Sequence, residues 1–164
     1  MCKGGRRKEI SILLVGIGGY GENYVAALLP EIRDERLKGI KIAGVVDPFP
    51  EKCPLISKIT ERNIPVYPNL ESFYEKDIAD LAVICTPIHL HVEQILFCLS
   101  KGSNVLCEKP LCSTYQDSLR LLEAERNSGK IVGIGFQLSF SNAVQEMKKD
   151  IISGKLGQPR LLKA

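Results

Sequence analysis

The stretch Ile10-Ser-Ile-Leu-Leu-Val-Gly16-Ile-Gly-Gly-Tyr-Gly21 decides the fold. Ile10 and residues 12–15 form a short apolar run rich in β-branched side chains, which suits a strand buried on both faces. The run leads straight into Gly16-x-Gly18-x-x-Gly21, after which Val25, Leu28 and Leu29 recur at helical spacing. Strand, glycine turn and helix in that order are the setting in which this pattern marks a dinucleotide site. Gly16 permits the tight turn, Gly18 lets the main chain approach a pyrophosphate, and Gly21 lets the helix pack on the strand. Ile17, Gly19 and Tyr20 complete a loop whose N–H groups, with the positive end of the helix, face the phosphates. On the hexapeptide alone an ordinary glycine-rich turn reads equally well, so the rest of the chain has to decide.

Composition narrows the choice. The 164 residues are 45% hydrophobic and 25% charged, as expected of one globular domain with a sizeable core. The formal charge is +3, but Lys3, Arg6, Arg7 and Lys8 precede the first strand and leave 18 Lys and Arg against 19 Asp and Glu. Residues 1–9 therefore read as a basic tail on a near-neutral body, with no face for nucleic acid. Cys2, Cys53, Cys85, Cys98, Cys107 and Cys112 show neither C-x-x-C nor paired Cys/His spacing. They predict free thiols, no metal site and a reducing, cytoplasmic setting. The first apolar run is too short for a signal peptide, and no run has the length of a membrane span.

Along the chain, strand-like and helix-like segments alternate. A charged connection over 31–38 leads to a second apolar strand, 40–47, ending in Asp47. Pro48, Pro50 and Pro54 predict a stiff loop, followed by a short helical face of Leu55, Ile56 and Ile59 closed by Asn63. Residues 64–67 read as an edge strand because Pro65 cannot donate to a ladder, and Asn69 as the cap of the next helix. Strands at 80–86, 104–107 and 131–136 are separated by helices carrying Val92, Ile95 and Leu99, then Leu119 and Leu122. Gly102 and Gly129 end those helices, and Thr114 with Asp117 forms a capping box. A last helix presents Val144, Met147 and Ile151. The pattern predicts an α/β fold: a Rossmann-type doubly wound, mostly parallel sheet covered by helices on both faces, over residues 10–158.

Asp47 lies 26 residues beyond Gly21, somewhat more than the usual gap of about 20. A carboxylate there accepts hydrogen bonds from the adenosine ribose and repels a 2′-phosphate. That argues for NAD over NADP, and the alternative is a solvated turn aspartate before Pro48.

The glycine motif, Thr86-Pro87 with His91 and Glu93, and Val105-Leu-Cys-Glu108-Lys109-Pro110-Leu111 together resemble the Gfo/Idh/MocA family of oxidoreductases. Gly154-Lys-Leu-Gly-Gln-Pro159 resembles the family's sequence at the border of its nucleotide domain, so the likeness spans the chain. The resemblance implies that Lys109 is the catalytic lysine, exchanging a proton with a substrate hydroxyl while hydride moves to the cofactor. Glu108 is implied as a contact to the nicotinamide-side ribose, its alternative being a partner for Lys109. The Lys109–Pro110 bond is a candidate for cis geometry. Cys85, Thr86 and Pro87 would border the nicotinamide half. His91 aligns with the family's histidine and is implied as a cofactor contact, a capping or surface role being the alternative, whereas His89 reads as a polar residue at the helix start. Gln137 would approach the carboxamide. Ser139 stands where the family carries Arg, which removes one substrate-side contact.

The family has a second α/β domain that roofs the substrate and supplies the oligomer interface. Residues 159–164 correspond to where a strand entering that domain begins, so the chain reads as the nucleotide-binding part of a longer enzyme. The expected substrate is a sugar, cyclitol or similar polyhydroxylated molecule, and the expected assembly is a homo-oligomer. An NAD(H)-sensing module and an S-adenosylmethionine-binding fold are the competing classes, and neither accounts for Glu108-Lys109-Pro110.

Overall fold

The computed structural model describes residues 9–29, 39–155, 157–158 and 160–161. The basic tail up to residue 8, the connection over 30–38 and the end from 162 lie outside the described residues. Among the described residues, those up to Ile134 form one compact unit and those from Gly135 a second.

In the first unit the elements are β1 (Ile10–Val15), α1 (Gly21–Leu28), β2 (Ile40–Val46), α2 (Ile56–Glu61), β3 (Val66–Tyr67), α3 (Leu70–Tyr74), β4 (Leu81–Ile84), α4 (Ile88–Ser100), β5 (Asn104–Cys107), α5 (Tyr115–Ser128) and β6 (Val132–Ile134). The six strands pair in the order β3-β2-β1-β4-β5-β6, every pair parallel. The chain builds outward from β1 to β3, then returns to place β4 on the other side of β1. This reversal opens a crevice at the carboxyl ends of β1 and β4, where open α/β sheets hold their ligands.

Alternation along β1 divides the core between the two faces. Ile12 and Leu14 pack with Val25 of α1, Leu29 just after it, and Ile59 of α2. Leu13 and Val15 pack with Phe73 of α3, Ile95 and Leu99 of α4, and Leu121 of α5. Phe73 is fully buried, edge-on to Tyr67 (5.4 Å) and Tyr74 (5.0 Å). Phe73→Ala is expected to cost about 3–5 kcal/mol, read as a lower urea midpoint with an unchanged slope.

The predicted caps are formed. Asn69 Oδ1 accepts the Ser72 N–H (2.9 Å), and Thr114 Oγ1 accepts the Asp117 N–H (3.1 Å) while its hydroxyl donates to Asp117 Oδ2 (2.8 Å). Gly129 closes α5 at φ 64°. Two segments differ from their sequence pattern. The segment at 64–67 pairs only over Val66 and Tyr67, because proline leaves the Pro65 carbonyl, accepting from Val45 N–H at 2.9 Å, as its preceding contact. The proline-rich loop after Asp47 contains a 3-10 turn, Pro50–Lys52, for which proline presets φ.

The second unit holds a 3-10 turn, Gln137–Phe140, and α6 (Asn142–Ile152), capped by Ser141 Oγ accepting the Val144 N–H (3.4 Å). Among the described residues no helix is long and apolar enough to cross a membrane.

Candidate functional site

Strand register sets the site. Val15 lies opposite Val46 and Ile84, and Ile84 lies opposite Cys107. The next residue on each strand, namely Gly16, Asp47, Cys85 and Glu108, therefore leaves the sheet at one level. Four segments carrying predicted site residues meet along a single edge.

The glycine loop occupies the centre. Gly16 has φ +78°, and a Cβ there would lie 2.9 Å from Thr86 Cγ2, so the turn packs against the end of β4. A Cβ on Gly21 would overlap the Gly16 carbonyl oxygen, so the helix closes on the turn with no room for a side chain. Gly18 differs: nothing of the protein lies within 4 Å of the position its Cβ would take. Its bareness leaves space for an incoming group, as close approach of a pyrophosphate requires. Among the described residues the N–H groups of Gly18, Gly19 and Tyr20 donate to no protein atom. This arrangement fits the dinucleotide phosphates on a test independent of the motif.

A cavity of about 760 Å³ lies over the crevice, lined by the glycine loop, Asp47, Phe49, Leu70, Thr86 and Gln94 among others. Asp47 Oδ2 accepts the Ile17 N–H (2.9 Å) and Oδ1 the Phe49 N–H (2.8 Å). Since the Ile17 side chain is fully buried, that bond fixes the glycine loop to the end of β2. The carboxylate retains further lone pairs toward the cavity that it lines. Cys85, Thr86 and Pro87 line the opposite wall, and Thr86 Oγ1 donates to Gln94 Oε1 (2.6 Å). Burial pushes the Cys85 thiol up to about 12, with the charge of Glu108 adding to it, so this thiol stays protonated and unreactive at neutral pH.

Beyond β5, Glu108 is buried and Lys109 exposed. Glu108 Oε1 accepts the Tyr24 hydroxyl (2.7 Å) and Oε2 accepts the Lys109 main-chain N–H (3.1 Å). Of the readings open at the sequence level, pairing with Lys109 occurs through the main chain. The Tyr24 phenol is raised, first by burial and then by its bond to Glu108, and so remains the donor. The Lys109–Pro110 bond is cis. His91 is 2% exposed and is not among the residues lining the cavity; its ring nitrogens sit 2.9 Å from Pro110 O and 2.8 Å from Thr86 O. Glu93 is exposed and pairs with Arg120 of α5 at 3.0 Å, while His89 is exposed in the first turn of α4. Gln137 opens the 3-10 turn of the second unit and is exposed.

Sequence reasoning passed over Phe49, Leu70, Leu90 and Gln94, which line the cavity, and Tyr24. Two signals were available. A Phe follows Asp47-Pro48 directly, and Leu90 and Gln94 are four apart in a helical segment, hence on one face. Nothing local marks Tyr24, whose partner is 84 positions away.

Comparison with known proteins agrees with this geometry. A family model described as "Oxidoreductase family, NAD-binding Rossmann fold" matches residues 10–136. The chain is 32% identical over 151 residues to an inositol 2-dehydrogenase of Rhodococcus jostii, covering 92% of this chain and 40% of that protein. It is 31% identical over 144 residues to a 2,7-anhydro-N-acetylneuraminate hydratase of Mediterraneibacter gnavus, covering 88% and 37%. A dehydrogenase structure from Chromobacterium violaceum superposes with a TM-score of 0.78 at 28% identity, over 92% of this chain and 42% of that one. The chain thus spans about two fifths of the length of the curated relatives it matches.

Proposed function

The chain belongs to the Gfo/Idh/MocA family of oxidoreductases, and from that premise we propose that it is the nucleotide-binding portion of an NAD-dependent enzyme acting on a sugar, cyclitol or similar polyhydroxylated substrate. The observation that carries the reading is the bare, open Gly18 cradle on the same sheet edge as Asp47 and the Glu108-Lys109-Pro110 turn.

In this reading the free N–H groups of Gly18, Gly19 and Tyr20 receive the pyrophosphate, and Asp47 accepts the adenosine ribose hydroxyls. Cys85, Thr86 and Pro87 form the wall beside the nicotinamide, and Glu108 belongs to that half of the site. The bound nicotinamide would supply the hydride acceptor or donor. Lys109 would hold the proton that the substrate hydroxyl gives up or regains. Relatives more than twice as long support a substrate-binding region and an oligomer interface outside these residues, and a cytoplasmic setting completes the proposal. The similarity to a protein named as a hydratase favours one further reading, a redox-neutral net reaction on the same scaffold. Product analysis separates the two.

Titrating NADH, NADPH and S-adenosylmethionine into the 164-residue chain by calorimetry tests the proposal. Saturable NADH binding, with NADPH weaker, is the expected result. Indifference to both dinucleotides overturns it, and a preference for S-adenosylmethionine replaces it. Asp47→Ala is expected to weaken NADH by about tenfold, or ~1.4 kcal/mol, and to remove most of the preference over NADPH. An unchanged NADH to NADPH ratio in that variant would take the ribose role from Asp47.

A further inference from the structure

The Glu108-Lys109-Pro110 turn is gripped from two sides. From α1, the Tyr24 hydroxyl donates to Glu108 Oε1 at 2.7 Å, and the other oxygen of that buried carboxylate holds the Lys109 N–H at 3.1 Å. From α4, the buried His91 ring bridges Pro110 O at 2.9 Å and Thr86 O at 2.8 Å. Both carbonyls can only accept, so the ring's N–H donates to one of them while the ring as a whole sits between the lysine turn and the cavity wall. Neither Tyr24 nor His91 is among the residues lining the cavity.

The two helices are those that frame the crevice. α1 begins at Gly21, the end of the phosphate-facing loop, and α4 begins immediately after Thr86-Pro87. Each sends one side chain behind the cavity to the turn that carries Lys109. An exposed lysine on an unsupported turn would sample many positions, and a displacement of about 1 Å at a reacting group can cost about a hundredfold in rate.

We infer that Tyr24 and His91 are positioning residues that set the location of Lys109 relative to the cofactor cavity, through Glu108 and Pro110 respectively. The inference rests on the proposed role of Lys109. Tyr24 belongs to the helix that follows the phosphate-facing loop, so that helix also holds the turn that carries Lys109.

The test uses the 164-residue chain with its lysines dimethylated by 13C-formaldehyde, the Lys109 resonance being identified by its absence in Lys109→Arg. In the unsubstituted chain, saturating NAD+ should shift that resonance. In Tyr24→Phe and His91→Leu the NAD+ Kd should stay within about threefold, while the NAD+-induced shift falls to less than half. His91→Gln, which keeps one donor, should give an intermediate shift, and with Tyr24→Phe it decides the matter if His91→Leu does not fold. Variants that melt earlier yet retain the full NAD+-induced shift would assign both residues to stability alone and overturn the inference. If NAD+ binds the unsubstituted chain and leaves the Lys109 resonance unmoved, the placement of Lys109 beside the cofactor fails first. These two failures are therefore distinguishable.

Discussion

On the proposed function, Lys109→Ala is expected to lower the turnover of polyol oxidation by two to four orders of magnitude while leaving NAD+ affinity within about twofold. The rate loss is the usual contribution of a positioned acid or base. The affinity should hold because the contacts that secure the dinucleotide in this reading are main-chain N–H groups of the glycine loop and the Asp47 carboxylate, none of which involves the lysine side chain. The measurement pairs steady-state rates with myo-inositol and other polyols against calorimetric NAD+ titration. Turnover at the unsubstituted level would remove Lys109 from the mechanism. Loss of affinity in parallel with rate would make it a binding residue instead.

Gly21→Ala carries the other large effect, through a different physical route. Its added Cβ would meet the Gly16 carbonyl oxygen and, at 2.9 Å, the Gly16 carbonyl carbon, with Cys85 Cβ at 3.3 Å behind. Two of these three atoms are main chain, so relief requires the turn to open or α1 to lift from β1. Either movement displaces the Gly18 cradle and strains the bond from Ile17 N–H to Asp47. NADH affinity is expected to fall by at least a hundredfold, and thermal stability to fall with it, since α1 buries Val25 in the core. Gly18→Ala is the matched control: no protein atom lies near its Cβ, so stability should be unchanged while NADH binding is lost. Equal stability losses in both variants would contradict the assignment of Gly18 to the ligand and Gly21 to packing.

Much of the architecture was legible before any coordinates. The apolar run into Gly16, the proline that confines residues 64–67 to an edge, and the caps at Asn69 and Thr114 are local signals. Each depends on side-chain chemistry within a few residues, and the folded chain keeps them. The site was legible where a motif reports its own geometry, as in the glycine loop; for Lys109 the sequence supplied only the role that the family resemblance implies. His91 shows where this stopped. By sequence it reads as a capping, surface or ligand-contacting group, yet it is buried with both ring nitrogens against main-chain carbonyls 5 and 19 positions away.

The sequence by itself determined the order of strands and helices, the turn that would bend round a phosphate and the acid that would end the second strand. Only the tertiary structure decided that Gly16, Asp47, Cys85 and Glu108 leave the sheet at one level, and that Tyr24 reaches Glu108 across 84 positions. The reason is physical. Turn and cap preferences are short-range, whereas strand register follows from burying both faces of the whole sheet at once, and no local stretch of residues carries that constraint.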